Sequence, residues 1–280
     1  NFANPIAVAE LLDTISCAEP TTVLDGTGSS TGIDIIYEWI HAPGTATILS
    51  GNTLMATVNG IGTYNLIVTD TSNGCVINSD VSVTDDTDIP VATADFSGIV
   101  DCTTPTVSIS GTGSSTGSEY TYTWTTTDGT IDSGADSLDP VVSQGGVYIL
   151  LIVDTLSNCQ QTTSVTVPED SVIPTVDVGP DAALDCATPT MTVDGSNSSS
   201  GTDFTYQWTT VDGNIIGGST GTMIDIDSGG TYILTVANTV NGCLDSAEVL
   251  ITQDFTLPQV STDPGGEINC VDLTIPLVGQ

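Results

Sequence analysis

The strongest constraint on this chain is the regular spacing of its cysteines. Four of them recur at steps of 84 or 85 residues, and three more lie 57 or 58 residues after the first three. We name the two sets the opening cysteines (Cys17, Cys102, Cys186 and Cys270) and the closing cysteines (Cys75, Cys159 and Cys243). A tryptophan follows each of the first three opening cysteines by 22 residues. A period this long indicates a tandem array of whole domains rather than a solenoid.

The repeat register divides the chain into segments. Three complete repeats cover residues 5–89, 90–173 and 174–257, after a linker remnant at 1–4. Residues 258–280 are expected to begin a fourth repeat, cut before its closing cysteine, so that Cys270 is left unpaired by truncation. The chain is thus expected to be a window from a longer array.

The charge balance is the second unusual feature. The chain has 35 acidic residues and no Lys or Arg, a formal net charge of −35. Nucleic-acid binding is excluded because phosphate neutralisation needs Lys and Arg. The same balance disfavours anionic membrane surfaces and favours cations, Ca²⁺ above all, or a solvated acidic surface. Disorder is rejected because 39% of the residues are hydrophobic and fall in strand-like runs.

The cysteines predict disulfides and an oxidising, extracellular location. Because opening and closing cysteines alternate, we expect pairing within each repeat: Cys17 with Cys75, Cys102 with Cys159, and Cys186 with Cys243. Each bond would close a loop of about 58 residues, which a chain-entropy model values at about 4 kcal/mol. A metal-ligand role for these cysteines is unsupported, since the chain has one histidine, His41, and no C-x-x-C motif.

The apolar pattern predicts an all-β fold with about seven short strands per repeat and no helix. In the second repeat, strands are expected at Val91–Phe96, around Val107, around Tyr122, at Val147–Val153 and at Thr163–Val167, with one or two weak ones between Ile131 and Val142. This count fits antiparallel β-sandwiches of immunoglobulin type, arranged as beads on a string. The closing cysteine of repeat 2, Cys159, should lie just past the predicted strand Val147–Val153. The predicted core side chains are Trp39, Trp124, Trp208, Tyr64, Tyr148 and Tyr232.

Three motifs in each repeat resemble those of PKD domains, the polycystic kidney disease repeats. They are Asp25–Gly32, Tyr37–Trp39 and Gly62–Tyr64 in repeat 1, and Asp194–Ser199, Tyr206–Trp208 and Gly230–Tyr232 in repeat 3. Repeat 2 departs at Ser110, which stands in place of the Asp. We interpret Asp25 and Asp194 as turn residues that bind their own backbone amides.

The cysteine-bearing repeats resemble PKD-like arrays in secreted cell-surface adhesins of gliding bacteria, which act as stalks or filaments. PKD-like modules also serve as spacers in secreted hydrolases. A further resemblance, to bacterial O-glycosylation at Asp-Ser/Thr followed by an aliphatic or small residue, marks five candidate acceptors: Thr14, Ser137, Thr155, Ser171 and Ser246.

The acidic linkers are the candidate metal sites. Ca²⁺ takes six to eight oxygen ligands, which clustered carboxylates between two domains supply together with carbonyls and water. The candidate ligands are Asp85, Asp86, Asp88, Asp101, Glu169, Asp170, Asp185 and Asp254. The alternative is that these aspartates cap turns at strand ends.

The sequence favours a structural function: a segment of an extracellular fibre or adhesin stalk that displays or spaces a distal binding region. The expected partners are further copies of the chain, in a fibre or lateral bundle, or other cell-surface components. The alternative is a glycan-binding or spacer module of a secreted hydrolase. We expect no enzyme activity, since no nucleophile has a base beside it, no direct membrane insertion, and no required cofactor apart from linker Ca²⁺.

Overall fold

The computed structural model describes residues 4–41 and 47–256. All of the helical or strand structure assigned in that part is β-strand. Most of them pair antiparallel, as predicted, in sheets that face each other across a core. Within the described ranges there is no helix long and apolar enough to cross a membrane.

Repeat 1 is built from two main sheets and a short parallel pair. Its strands are β1 (Glu10–Leu11), β2 (Ile15–Ser16), β3 (Thr22–Asp25), β4 (Ile35–His41), β5 (Ile48–Ser50), β6 (Met55–Val58), β7 (Gly62–Asp70), β8 (Cys75–Val83) and β9 (Asp85–Asp86). One sheet has the order β1-β3-β6-β5 and the other β4-β7-β8, while β2 pairs parallel to β9.

Repeats 2 and 3 follow the same plan. Repeat 2 contains β10 (Asp95–Phe96), β11 (Val100–Asp101), β12 (Val107–Ser110), β13 (Tyr120–Thr126), β14 (Ile131–Ser133), β15 (Val141–Val142), β16 (Gly146–Asp154), β17 (Gln160–Val167) and β18 (Glu169–Asp170). Repeat 3 contains β19 (Ala182–Asp185), β20 (Met191–Asp194), β21 (Phe204–Thr210), β22 (Ile215–Gly217), β23 (Met223–Ile226), β24 (Gly230–Asn238) and β25 (Leu244–Asp254). Their main sheets are β10-β12-β15-β14 with β13-β16-β17, and β20-β23-β22 with β19-β25-β24-β21.

Each repeat has its own hydrophobic core. The buried side chains form three clusters, and each cluster lies within one predicted repeat. Strand β16 illustrates the reason: Tyr148, Leu150 and Ile152 alternate toward the core and are fully buried, while Val147 and Ile149 face outward. The chain divides into two compact units, Asn1–Val100 with Pro105–Glu169, and Asp101–Thr104 with Asp170–Gln280.

The conspicuous tryptophans and tyrosines lie in these cores. Trp39, Trp124 and Trp208 are 4%, 2% and 1% exposed. Each indole N–H donates to a backbone carbonyl 13 or 14 residues later, at Thr53, Ser137 and Gly221. The tyrosines Tyr64, Tyr148 and Tyr232 are fully buried, and each hydroxyl donates to the carbonyl four residues earlier. This is the geometry of a tyrosine corner.

The first predicted strand of repeat 2 is shorter than expected. Only Asp95–Phe96 forms a ladder, although Val91–Phe96 was predicted. Side-chain hydroxyls replace the missing ladder bonds: Val91 N–H donates to Ser115 Oγ and Thr93 N–H to Ser114 Oγ, both at 2.9 Å. These serines belong to the PKD-like motif, so the motif fastens the first segment of the repeat without a strand.

Candidate functional site: the cysteine turns

The disulfides do not follow the predicted pairing. Cys17 is bonded to Cys159 and Cys102 to Cys243, with Cα–Cα distances of 5.0 and 4.9 Å. In both bonds an opening cysteine of one repeat joins the closing cysteine of the following repeat. Within the described residues, Cys75 and Cys186 are free thiols. Pairing within repeats is therefore wrong for every described cysteine, and Cys270 lies outside the described residues.

The geometry of a single sandwich explains this correction. In repeat 3, Asp185 pairs with Asp254, the last residue of β25, so the neighbouring Cys186 lies at that end of the strand. Cys243 directly precedes Leu244, the first residue of β25. Eleven residues of extended strand span about 35 Å. A disulfide requires Cα atoms within about 7 Å, so the two cysteines of one repeat cannot meet.

The opening cysteines lie in short turns that we call the opening turns (residues 16–19, 101–104 and 185–188). Asp101 Oδ1 accepts bonds from the N–H groups of Thr103 and Thr104, at 2.9 and 2.6 Å. The Thr103 hydroxyl donates to the same oxygen at 2.7 Å, and this bond is the largest cause of the lowered pKa of Asp101. In repeat 1, Ser16 Oγ takes the place of the carboxylate and accepts from Glu19 N–H at 3.1 Å.

The closing cysteines lie in turns that we call the closing turns (residues 73–75, 157–159 and 241–243). The middle residue of each has a left-handed backbone: Gly74 at φ 74°, Asn158 at φ 56° and Gly242 at φ 70°. Gly adopts this region without steric cost and Asn tolerates it. The cysteine N–H then donates to the side chain two residues earlier, at 2.9 Å in the case of Asn241 Oδ1.

Further contacts surround each bond. In unit 1, Cys159 Sγ lies 3.8 Å from the carbonyl oxygen of Asp86. In unit 2, Cys102 N–H donates to the carbonyl of Asn241 at 3.2 Å. The Asn241 side chain, 2% exposed, donates to Asp170 Oδ1 at 2.9 Å and to the Val172 carbonyl at 3.1 Å. Sequence reasoning overlooked this asparagine, although the Asn-Gly-Cys pattern of residues 73–75 and 241–243 is a signal for a turn.

The predicted calcium ligands are mostly engaged in turn and strand-end hydrogen bonds. Asp185 Oδ1 accepts from Ala187 N–H, Thr188 N–H and the Thr188 hydroxyl at 2.9, 2.7 and 2.8 Å. Asp85 accepts from the Thr87 hydroxyl at 2.9 Å, and Asp88 is exposed. The Thr256 hydroxyl is the main cause that lowers the pKa of Asp254, opposed by burial and the charge of Asp185.

Glu169, one of the predicted calcium ligands, makes a hydrogen bond that does not require a negative charge. Its Oε2 accepts from Gly145 N–H at 2.8 Å. In repeat 3 the neutral Gln253 makes the equivalent bond, accepting from Gly229 N–H at 2.7 Å. Either a Glu or a Gln side chain therefore stabilises the turn that precedes the long central strand, which is β16 in repeat 2 and β24 in repeat 3.

No three His, Cys, Asp or Glu side chains converge as a metal site within residues 4–41 and 47–256. Linker calcium stays a prediction. Thermal unfolding with Ca²⁺ and with EDTA at equal ionic strength tests it. A rise in Tm that Asp254→Asn abolishes would support a site at the Asp185–Asp254 pair, and an unchanged Tm would contradict it.

The candidate O-glycosylation positions are largely accessible. Thr14, Thr155, Ser171 and Ser246 are exposed and Ser137 is half-buried. The hydroxyls of Ser137 and Thr155 donate to the carbonyls of Gly134 and Glu119 at 2.9 and 2.8 Å. Modification at these two positions would have to break those bonds. O-glycosylation stays a prediction at all five positions.

No protein-family model and no protein of curated function matches the chain. Among solved structures, it is similar to the N-terminal eight Ig domains of Down Syndrome Cell Adhesion Molecule isoform 1.30.30, with 12% identity over 90% of this chain and a TM-score of 0.38. It spans 37% of that protein chain. It is also similar to three N-terminal domains of the bacteriophage RB49 Highly Immunogenic Outer Capsid protein, with 11% identity over 90% of this chain and 99% of that one, at TM-score 0.32.

A single PKD domain, from the KIAA 1837 protein, is similar to 32% of this chain over 95% of its own length, with 22% identity and a TM-score of 0.25. The first of these structures consists of tandem Ig domains of a cell-adhesion protein, and the third is one PKD domain. All three TM-scores lie below 0.5, so the fold assignment rests on the strand order described above. The resemblance to adhesins of gliding bacteria stays a prediction.

Proposed function

We propose that this chain is a structural segment of an extracellular fibre or adhesin stalk, in which disulfides lock each repeat to the next. The observation that carries the proposal is the pairing of opening and closing cysteines from successive repeats. A bond inside one repeat would stabilise that domain alone. A bond across the linker restrains the joint between two repeats. Restrained joints matter for a protein that transmits force or keeps two sites a fixed distance apart.

Three further features support this function. Each repeat has a core of its own, which supports an array of repeated domains held in line. Disulfides persist in oxidising compartments, which supports an extracellular location. The net charge of −35 with no basic residue favours solubility and suits a surface-exposed filament better than a binding partner for anions.

The experiment that tests the proposal compares flexibility at the first joint in two variants. Cys17→Ser with Cys159→Ser opens the bond between repeats 1 and 2. Cys75→Ser with Cys186→Ser removes the same number of cysteines and leaves both bonds intact. We expect small-angle scattering to show a wider distribution of conformations for the first variant only, with both keeping the far-ultraviolet spectrum of the wild type. Equal distributions would contradict a locking function.

A further inference from the structure

We propose that the outward face of the sheet β13-β16-β17 in repeat 2 binds the same face of a second copy of this chain. The proposal rests on the proposed function and identifies a lateral contact for it. Four apolar side chains, which we call the stripe, follow the central strand β16: Val147, Ile149, Leu151 and Val153. Val147 and Ile149 are 37% and 38% exposed, and the other two are half-buried. The residues between them fill the core, so the two-residue period of the strand directs the stripe outward.

The side chains on both sides of the stripe are uncharged. On β13, alternate residues of 121–125 lie beside the stripe, and all of them are exposed threonines. On β17, alternate residues of 160–166 lie on the other side and are an exposed Gln, Thr, Ser and Thr. The chain carries 35 acidic residues, yet none stands at these flanking positions. An apolar patch with a polar, uncharged border is typical of an interaction surface, because interface cores are depleted in charged residues.

The equivalent faces of repeats 1 and 3 carry carboxylates. The position of Ser164 holds Asp80 in repeat 1 and Glu248 in repeat 3, and all three residues are exposed and pair in the same register with the central strand. Repeat 1 adds Glu38 on β4, where repeat 2 has Thr123 on β13. The uncharged face is therefore a property of repeat 2 and not of the sandwich that all three described repeats share.

The charge of the chain indicates which partner fits this face. A cationic partner is attracted by carboxylates, so it would favour the faces of repeats 1 and 3. A second copy of this chain carries the same net charge of −35 and is repelled by acidic surfaces. It approaches most closely where both surfaces lack carboxylates. Pairing the face of repeat 2 with itself around a two-fold axis meets this condition on both sides.

Two such faces have the shape to pack as the sheets of a β-sandwich do. Stacked sheets lie about 10 Å apart, and apolar side chains from both faces fill the space between them. The stripe supplies these side chains, and the hydroxyls beside it form a polar rim. Strands about 4.8 Å apart and about 25 Å long give this three-stranded sheet a face of roughly 400 Å² per copy. This is about half of the area that a standard interface buries per partner, so we expect a weak, reversible dimer.

The test places one carboxylate in this face and one outside it. Ser164→Glu copies the residue that repeat 3 has at this position, Glu248, so the fold accommodates it. Ser108→Glu, at an exposed position of β12 in the opposite sheet, adds the same charge and is the matched control. Free thiols of the full chain are alkylated first, so that no disulfide between copies contributes. Sedimentation equilibrium at protein concentrations up to about 1 mM then measures the Kd of the dimer at low and at high salt.

We expect the wild type to form a dimer that strengthens with salt. Salt screens the repulsion between two copies of charge −35 and leaves the apolar contact in place. Ser164→Glu should raise the Kd roughly tenfold or more, because the dimer would bury a carboxylate that has no partner. Ser108→Glu should stay within about twofold of the wild type at high salt, because its charge lies outside the contact and is screened.

A wild type that stays monomeric at every concentration and salt would overturn the proposal and leave the face to a different partner. Equal effects of the two glutamates would overturn it as well, because the contact would then lie elsewhere on the chain. Either result leaves the joint test with Cys17→Ser and Cys159→Ser unaffected, since that test measures flexibility within one copy in dilute solution. Failure of this inference is therefore distinguishable from failure of the proposed function.

Discussion

At the scale of single residues, the closing turns depend on a left-handed backbone position. The three repeats place Gly, Asn and Gly there, the residue types that this conformation favours. Gly242 has a second constraint, because Thr103 lies against it, whereas no atom of the described residues lies within 4 Å of a β-carbon placed on Gly74. The two glycines therefore share a backbone requirement and differ in a steric one.

Alanine at the two glycines should separate these effects. We expect Gly74→Ala to lower the free energy of unfolding by about 1 kcal/mol, the usual cost of a left-handed alanine. Gly242→Ala should cost clearly more, because its methyl group meets Thr103 Cγ2. Urea unfolding measures both. Adding Thr103→Ser, which removes that methyl group and keeps the hydroxyl, should recover the excess; equal costs for the two alanine variants would show that the contact is absent.

The buried tyrosines predict an alkaline limit to stability. Burial, to which the charges of Asp227 and Asp212 add, raises the pKa of Tyr232 above its ordinary value of 10.0. Above pH 10 the unfolded chain therefore loses the phenol proton that the folded chain keeps, and stability falls with rising pH. Tyr232→Phe should cost about 1 kcal/mol at neutral pH through the lost hydrogen bond. It should also flatten the alkaline decline, which unfolding titrations from pH 8 to 11 measure; an unchanged slope would contradict this account.

At the scale of elements, the strands were largely predictable because each follows an alternating apolar pattern that one buried face imposes. The exception was the first segment of each repeat, since hydrogen bonds from serine hydroxyls replace the ladder there. Ser29, Ser114 and Ser198 are buried, and each hydroxyl both accepts from and donates to the same residue of that segment. A hydrophobicity pattern carries no information about such bonds.

Removing one of these hydroxyls should loosen the first segment of repeat 2. We expect Ser114→Ala to cost between about 1 and 3 kcal/mol, because it leaves Thr93 N–H and C=O without this partner. Ser108→Ala, at an exposed position of β12, is the matched control and should change stability by less than about 0.5 kcal/mol. Amide hydrogen exchange at Thr93 should rise in the first variant only. Similar exchange in both would mean that the serine does not fasten the segment.

At the scale of the whole molecule, sequence reasoning identified the cysteines but paired them wrongly. Spacing along the chain does not show at which end of a sandwich a cysteine lies. The register of β19 with β25 supplies this information, since it places Cys186 and Cys243 at opposite ends of one strand. The 84-residue register permits two pairings, within a repeat or between successive repeats, and only three-dimensional structure distinguishes them. The linker pattern left two interpretations of the acidic residues, Ca²⁺ ligands or turn caps, because spacing along the chain does not show which carboxylates bind neighbouring backbone amides and hydroxyls.

Disulfide mapping tests the central claim most directly. Free thiols are first alkylated without reduction, and the protein is then cleaved after acidic or aromatic residues, because trypsin has no site in a chain without Lys or Arg. Mass spectrometry should find peptides joined through Cys17 and Cys159 and through Cys102 and Cys243, with alkylated Cys75 and Cys186 in the monomer. Peptides joined through Cys17 and Cys75, or through Cys102 and Cys159, would contradict the account of locked joints.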